Sequence, residues 1–192
     1  NSIKIYSDRT NRSCYVRILS YISGSMYASI KHNAILENSL GSLLGILSKE
    51  LQNLYHPSAL RKFQWDPSNI KWIFKELNLF KGSNKKLIIK NLEEHKKFVL
   101  KNIVNLSFSL THGDANNYNL VVNKNVVSGL LDYGDMIYAP TINDLAISLS
   151  YALMNKNNFY ESLKNIILSY NKIFPITFDE IFSLISLIKS RL

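Results

Sequence analysis

Asp114, Asn119 and Asp132 are the residues of this chain whose types and spacing could do chemistry together. The first acid lies in Thr111-His112-Gly113-Asp114-Ala115-Asn116-Asn117-Tyr118-Asn119, whose last residue is a carboxamide; the second opens Asp132-Tyr133-Gly134-Asp135. Between Asn119 and Asp132 run two short apolar segments, 120–122 and 126–131, split by Asn123-Lys124-Asn125. That pattern predicts a hairpin turn. A hairpin doubles the chain back, so Asn119 at its entry and Asp132 at its exit are expected side by side. Two carboxylates and one amide oxygen then converge on one small volume. Hard oxygen ligands in that number suit Mg²⁺, which keeps several waters and is completed by substrate phosphates.

An alcohol is a poor nucleophile at neutral pH. A carboxylate within hydrogen-bond reach orients it and takes its proton, an effect of about 10²–10⁴-fold, and Asp114 is the candidate. Asn119 and Asp132 are the candidate metal ligands, in the spacing that phosphoryl transfer uses in kinase-like folds. The set His112-Gly113-Asp114 with Asn119, Asp132-Tyr133-Gly134-Asp135, Pro140 and Asn143-Asp144-Leu145-Ala146 resembles the aminoglycoside phosphotransferase family of small-molecule kinases. Residues 132–153 most resemble its hydroxylysine-kinase-like branch, a kind of domain also found fused to class III aminotransferases.

That resemblance implies an α+β, protein-kinase-like fold, mostly the α-helical large lobe with remnants of the small-lobe β-sheet. Residues 1–22 would end the small nucleotide-binding lobe and form the hinge, and 23–192 would be the large catalytic lobe. It implies transfer of the γ-phosphate of ATP or GTP to a hydroxyl of an amino alcohol or hydroxy amino acid. Backbone groups of Ser20, Tyr21 and Ile22 would then face the nucleotide base. Asp144 would be a buried brace of the catalytic loop, with His112 packing and orienting that loop. Arg61, Trp65 and Asp135 are substrate-pocket candidates, with His56 nearby. Asn116 stands where many relatives carry His, which bears on the acceptor and the loop. The phosphate-covering loop and strand Lys of such kinases are absent, so the chain is expected to be a piece of a longer protein, truncated at both ends and inactive alone. The competing readings are a silent, pseudokinase-like or regulatory fragment, and a homoserine, choline or aminoglycoside kinase of the same superfamily. Phosphate-ester hydrolysis is disfavoured, because two-metal sites recruit more His and Asp ligands.

Composition narrows the classes further. A 192-residue chain that is 46% apolar can bury a sizeable core as one domain. No apolar run reaches the roughly 18 residues that span a bilayer, and no leader pattern opens the chain. A single cysteine, Cys14, fits a reducing cytoplasm. The net charge of +9 invites a nucleic-acid partner, but the lysines are scattered rather than striped. The abundance of Lys, Asn and Ile reads as an AT-rich genome. The expected partners are therefore a nucleotide and a small molecule, with neither nucleic acid nor membrane.

The elements that must hold these residues can be read from pattern. Residues 3–7 and 14–22 are β-branched and aromatic-rich and predict two strands, with a polar turn from Asp8 to Ser13. Leucines at three-and-four spacing predict an amphipathic helix over 33–54. Asp66-Pro67 predicts the start of another helix, ended by Gly82. A third is expected over 84–105, with His95 solvated on its charged stretch. Strand 108–110 delivers the catalytic loop. Helices then follow from 140 to about 154 and over 159–172. Thr177 and Glu180 predict a capping box for a last helix apolar nearly all round.

Overall fold

The protein was analysed as a computed structural model describing residues 3–7, 9–10 and 12–192. Its elements, in order, are β1 (Ile3–Ser7), β2 (Ser13–Arg17), β3 (Ser25–Met26), α1 (Ala34–Leu51), α2 (Ile73–Glu76), α3 (Gly82–His95), β4 (Phe108–Thr111), β5 (Leu120–Asn123), β6 (Val126–Leu130), β7 (Ile137–Pro140), α4 (Asn143–Ala152), α5 (Phe159–Asn171) and α6 (Phe178–Arg191).

Among the described residues three small antiparallel sheets result. β1 and β2 pair from Ile3–Arg17 to Ser7–Ser13. Asp8 and Asn11 of the expected turn lie outside the described residues. The second strand stops at Arg17, short of the predicted Ile22, and residues 18–23 have no regular structure. A two-stranded ribbon gives its outer residues no third strand to pair with. β3, β5 and β6 form the second sheet, and β4 pairs with β7 to form the third.

The helices supply the core. Asn33 caps α1, its Oδ1 accepting from Leu36 N at 3.0 Å. Leu36, Leu40, Leu44 and Leu51 are buried along one stripe, as their spacing predicts. The helix ends at Leu51 rather than Leu54. α1 lies against α5 at backbone contact: a Cβ on Gly41 would meet the Ile166 carbonyl oxygen at 2.1 Å. Glu37 is buried in the same contact and accepts hydrogen bonds from Lys156 Nζ, Ser162 Oγ and Asn165 Nδ2. α4 is buried almost all round, from Asn143 to Ser150 and again at Ala152.

Three expectations change. No long helix follows Asp66-Pro67. Asp66 Oδ1 instead accepts from Ser68 N, Ser68 Oγ and Asn143 Nδ2, an Asx-type turn. The four-residue α2 and a 3₁₀ turn (Leu77–Leu79) form before Gly82, which opens α3 at φ 57° instead of closing a helix. The helix predicted over 84–105 leaves α geometry after His95, passing through a π turn (Lys96–Leu100) and a 3₁₀ turn (Ile103–Asn105). His95 is not solvated: it is 1% exposed, on the face of Leu92 and Val99, with Nε2 3.0 Å from the Pro67 carbonyl. Burial lowers its pKa below the ordinary value.

α6 starts with the predicted capping box of Thr177 and Glu180. Its polar Glu180, Ser183 and Ser186 are buried, whereas Phe178, Ile181, Phe182 and Ile185 are exposed. Ser183 Oγ donates to the Phe98 carbonyl at 2.7 Å and Glu180 Oε1 accepts from Ser107 N. The inward face thus satisfies backbone groups freed where the third helix loses regularity.

Candidate active site

β4 runs into the loop of residues 112–119, and α4 holds that loop from beneath. Asp144, in the first turn of α4, is 2% exposed. Its Oδ2 accepts from His112 N at 2.8 Å and its Oδ1 from Gly113 N at 2.9 Å. Burial pushes the Asp144 carboxyl pKa up, with the N–H groups of His112 and Gly113 pulling the other way. One helical turn on, Ser148 Oγ donates to the Ala115 carbonyl at 2.6 Å. Positions i and i+4 of a helix share a face, so one face of α4 grips the loop backbone twice. Gly113 is required: its φ is 82°, and a Cβ there would lie 2.6 Å from the Asp135 carbonyl oxygen.

His112 joins the loop to the hairpin exit. Its Nδ1 accepts from Asp114 N at 3.2 Å, so Nε2 carries the proton it donates to the Leu131 carbonyl at 2.9 Å. The ring also meets Tyr133 edge-on at 4.7 Å.

The hairpin forms as predicted. β5 and β6 pair with only Lys124 and Asn125 between them, both at positive φ (48° and 63°), as a two-residue hairpin turn demands. Asn33 on the other side of the turn exchanges hydrogen bonds with Asn125. At the open end, Leu131 N donates to the Asn119 carbonyl at 2.8 Å. Asn119 and the residue before Asp132 are therefore direct neighbours. Asp132 has φ 62° and ψ 67°, in the left-handed region. A non-glycine residue held there carries strain of the kind found at working sites.

Around Asp114 the polar groups converge. Its Oδ2 accepts from Asn116 Nδ2 at 2.8 Å and Asn119 Nδ2 at 3.2 Å, and its backbone carbonyl accepts from Asn119 Nδ2 at 2.9 Å. Asn119 thus spends its amide N–H groups on Asp114, which leaves its side-chain oxygen available to face a cation. Among the described residues Asp132 Oδ1 accepts only a long bond, 3.4 Å, from Gly134 N. Among the described residues no three or more His, Cys, Asp or Glu side chains are grouped to hold a metal on their own. An amide oxygen and one carboxylate, finished by water and phosphate oxygens, fit Mg²⁺ rather than a softer ion.

Asp114 Oδ1 forms an ion pair with Arg191 at the end of α6. Beside that pair is a cavity of ≈ 230 Å³ lined by Phe63, Trp65, Asp114, Asp135, Tyr151 and Arg191. Asp135 pairs with Arg61 at 3.6 Å, and Arg61 also donates to the Gly134 carbonyl at 3.3 Å. Trp65 and Asp135 thus share a cavity with Asp114, and Arg61 flanks it. His56 does not line this cavity; it lines another with Arg61, and its Nδ1 accepts from Ser58 N. Ser20, Tyr21 and Ile22 are exposed. Ile22 covers Gly129 of β6, where an added Cβ would come within 2.8 Å of Ile22 Cδ1. This segment therefore lies over the strand that leads to Asp132.

The residues the sequence reading missed are Arg191, Tyr151, Phe63 and Ser148. Ser148 had a usable signal, four positions after Asp144 on one helix. Arg191 had none, since a basic residue in a helix's last turn is common.

The description "Phosphotransferase enzyme family" matches residues 4–164. Hydroxylysine kinase of Mus musculus is 27% identical over 98% of this chain and 54% of its own length. That of Xenopus laevis is 26% identical over 92% of this chain and 51% of its own length. The chain thus spans about half the length of the curated relatives it matches. Among solved structures, an amicoumacin kinase in complex with AMP-PNP, Ca²⁺ and Ami aligns over all of this chain and 59% of its own, with TM-score 0.70 and 14% identity. The aminoglycoside phosphotransferase of Streptomyces rimosus aligns over 88% of this chain and 67% of its own, with TM-score 0.56 and 13% identity. The fold is therefore the α+β, kinase-like one. Among the described residues no helix is long and apolar enough to cross a membrane.

Proposed function

The chain belongs to the phosphotransferase enzyme family, and from that premise we propose that its full-length protein transfers the γ-phosphate of ATP or GTP to a hydroxyl of an amino alcohol or hydroxy amino acid. The observation that carries this reading is the hold on Asp114. Two amides orient one of its oxygens, while α4 seats the backbone just before it. A carboxylate held this way presents a lone pair in a set direction, which is what aligning an attacking hydroxyl requires.

Asp114 is the base that takes the hydroxyl proton. Asn119 and Asp132 would hold Mg²⁺, which when bound offsets the negative charge of the phosphate oxygens. Asp144 and Ser148 keep the loop backbone from shifting as the carboxylate changes charge. His112 ties the loop to Leu131, so the base and the hairpin exit move as one body. Trp65, Asp135 and Arg61 form the acceptor side. Residues 20–22 are the nucleotide side, with 1–22 the end of the small lobe and 23–192 the large lobe. The single cysteine suits a cytoplasmic location.

The test is a screen of the full-length protein with MgATP and MgGTP against amino alcohols and hydroxy amino acids, following phosphorylated acceptor. Acceptor-dependent transfer that disappears in Asp132→Asn supports the reading. Nucleotide binding without transfer to any acceptor would favour the silent, regulatory alternative.

A further inference from the structure

The two oxygens of Asp114 are held by different parts of the chain. Oδ2 accepts from Asn116 Nδ2 at 2.8 Å and Asn119 Nδ2 at 3.2 Å, both in its own loop. Oδ1 pairs with Arg191 Nη2, 77 positions on, in the last turn of α6. The torsion that turns an Asp carboxylate is broad rather than staggered, so a carboxylate pinned at one oxygen still pivots about it. A second pinned oxygen removes that freedom. Arg191 is itself well anchored: its side chain is 9% exposed, and Nη1 donates to the Trp65 carbonyl at 3.3 Å. Its guanidinium lies 5.8 Å from the Trp65 ring and 5.6 Å from the Tyr151 ring, within the range of a cation held over an aromatic face.

Counting acceptor positions shows what this leaves open. An ionised carboxylate offers about four lone-pair sites, shared evenly between its oxygens. The two amides fill those of Oδ2. Among the described residues Arg191 is the one side chain that donates to Oδ1, so a single site on that oxygen remains. It is within reach of a ligand, because the Asp114 side chain is 23% exposed and lines the ≈ 230 Å³ cavity.

We propose that Arg191 is a positioning residue for the base: it fixes the plane of the Asp114 carboxylate so that the free lone pair of Oδ1, not Oδ2, meets the attacking hydroxyl. This rests on the kinase reading above and deepens it. As the hydroxyl oxygen bonds the γ-phosphorus and the bond from that phosphorus to the nucleoside diphosphate breaks, the hydroxyl proton passes to Oδ1. Arg191 acts through Asp114 rather than on the acceptor.

The experiment uses the full-length protein with MgATP and whichever of 3-aminopropan-1-ol, homoserine and 5-hydroxylysine the parent phosphorylates best. In Arg191→Ala kcat falls by about 100-fold, the cost of a misplaced reacting group. The KM values of MgATP and acceptor move by less than about threefold, as for an interaction made only in the transition state. Guanidinium chloride, far below denaturing concentrations, restores kcat by at least about tenfold, because the planar cation remakes the bond to Oδ1; equal sodium chloride restores nothing. Arg191→Lys keeps the charge without the fork, and its kcat falls in between. If the alanine variant does not fold, the lysine variant carries the test, and a kcat equal to the parent's there overturns the proposal. A merely structural Arg191 would lower the unfolding midpoint and give no guanidinium rescue, which overturns it too. So does a loss confined to the acceptor's KM, or a kcat that rises when the arginine is removed. A parent that phosphorylates none of these acceptors overturns the kinase reading itself, and the proposal with it.

Discussion

Two contacts in this molecule are each built on one buried carboxylate, and they work differently. Where α4 meets the loop of residues 112–119, Asp144 takes two backbone N–H groups. Where α1 meets α5, Glu37 takes a lysine ammonium, a serine hydroxyl and an asparagine amide. Burial opposes the charge of both. It prevails at Asp144, whose pKa is raised, and at Glu37 it is outweighed by Lys156, Ser162 and Asn165, so that pKa is lowered. The first carboxylate fixes the position of a backbone, at an electrostatic cost. The second fastens two helices together and gains from its partners. The first contact serves position, the second adhesion.

That contrast fails first if the loop can be altered without loss of turnover. Asp114→Asn keeps an oxygen for Arg191 but cannot take a proton. Transfer by the full-length protein is expected to fall by about 10³-fold, with the unfolding midpoint little changed; turnover within tenfold of the parent would remove Asp114 as base. Asp144→Asn comes next. One amide N–H₂ would then face a backbone N–H, leaving donor against donor. Turnover should fall by about 100-fold and stability by about 2–3 kcal/mol, measured by steady-state kinetics and urea unfolding.

Glu37→Gln should give the opposite profile. Lys156 loses its buried counter-charge, so stability falls by about 3 kcal/mol while turnover stays near that of the parent. The pH dependence sharpens this. A carboxyl whose pKa is lowered on folding stabilises the protein above its unfolded value, 4.5, and loses that contribution as pH falls through the folded value. The stability gap between parent and Glu37→Gln should therefore narrow below about pH 4.5, and a gap that is flat from pH 7 to pH 3 would count against the account. The smallest effect belongs to Ser148→Ala, which removes one neutral hydrogen bond to the loop. It should cost about 1 kcal/mol and slow turnover a few-fold.

The hairpin could be read from letters alone because local chemistry decides it. Two short apolar segments split by Asn123-Lys124-Asn125 must reverse the chain. The α1 stripe and the capping box of α6 were legible for the same reason. The segment 66–81 was not. Asp66 takes both the local Ser68 and Asn143 across the fold, and only tertiary packing supplies the second. His95 misled because its charged neighbours in sequence are not its neighbours in space. Arg191 was invisible because its partner, Asp114, is 77 positions away. Local patterns carry no information at that range.

The contact at Gly41 reaches further than its position suggests. α1 and α5 touch there at the level of the main chain, so even one methyl group must wedge them apart. α1 also carries Ser39, whose hydroxyl receives Val127 N of β6 at 2.8 Å. A wedge at the helix crossing would therefore travel along α1 into the ribbon that leads to Asp132, so that an alanine far from Asp114 and Asp132 would shift both by leverage alone.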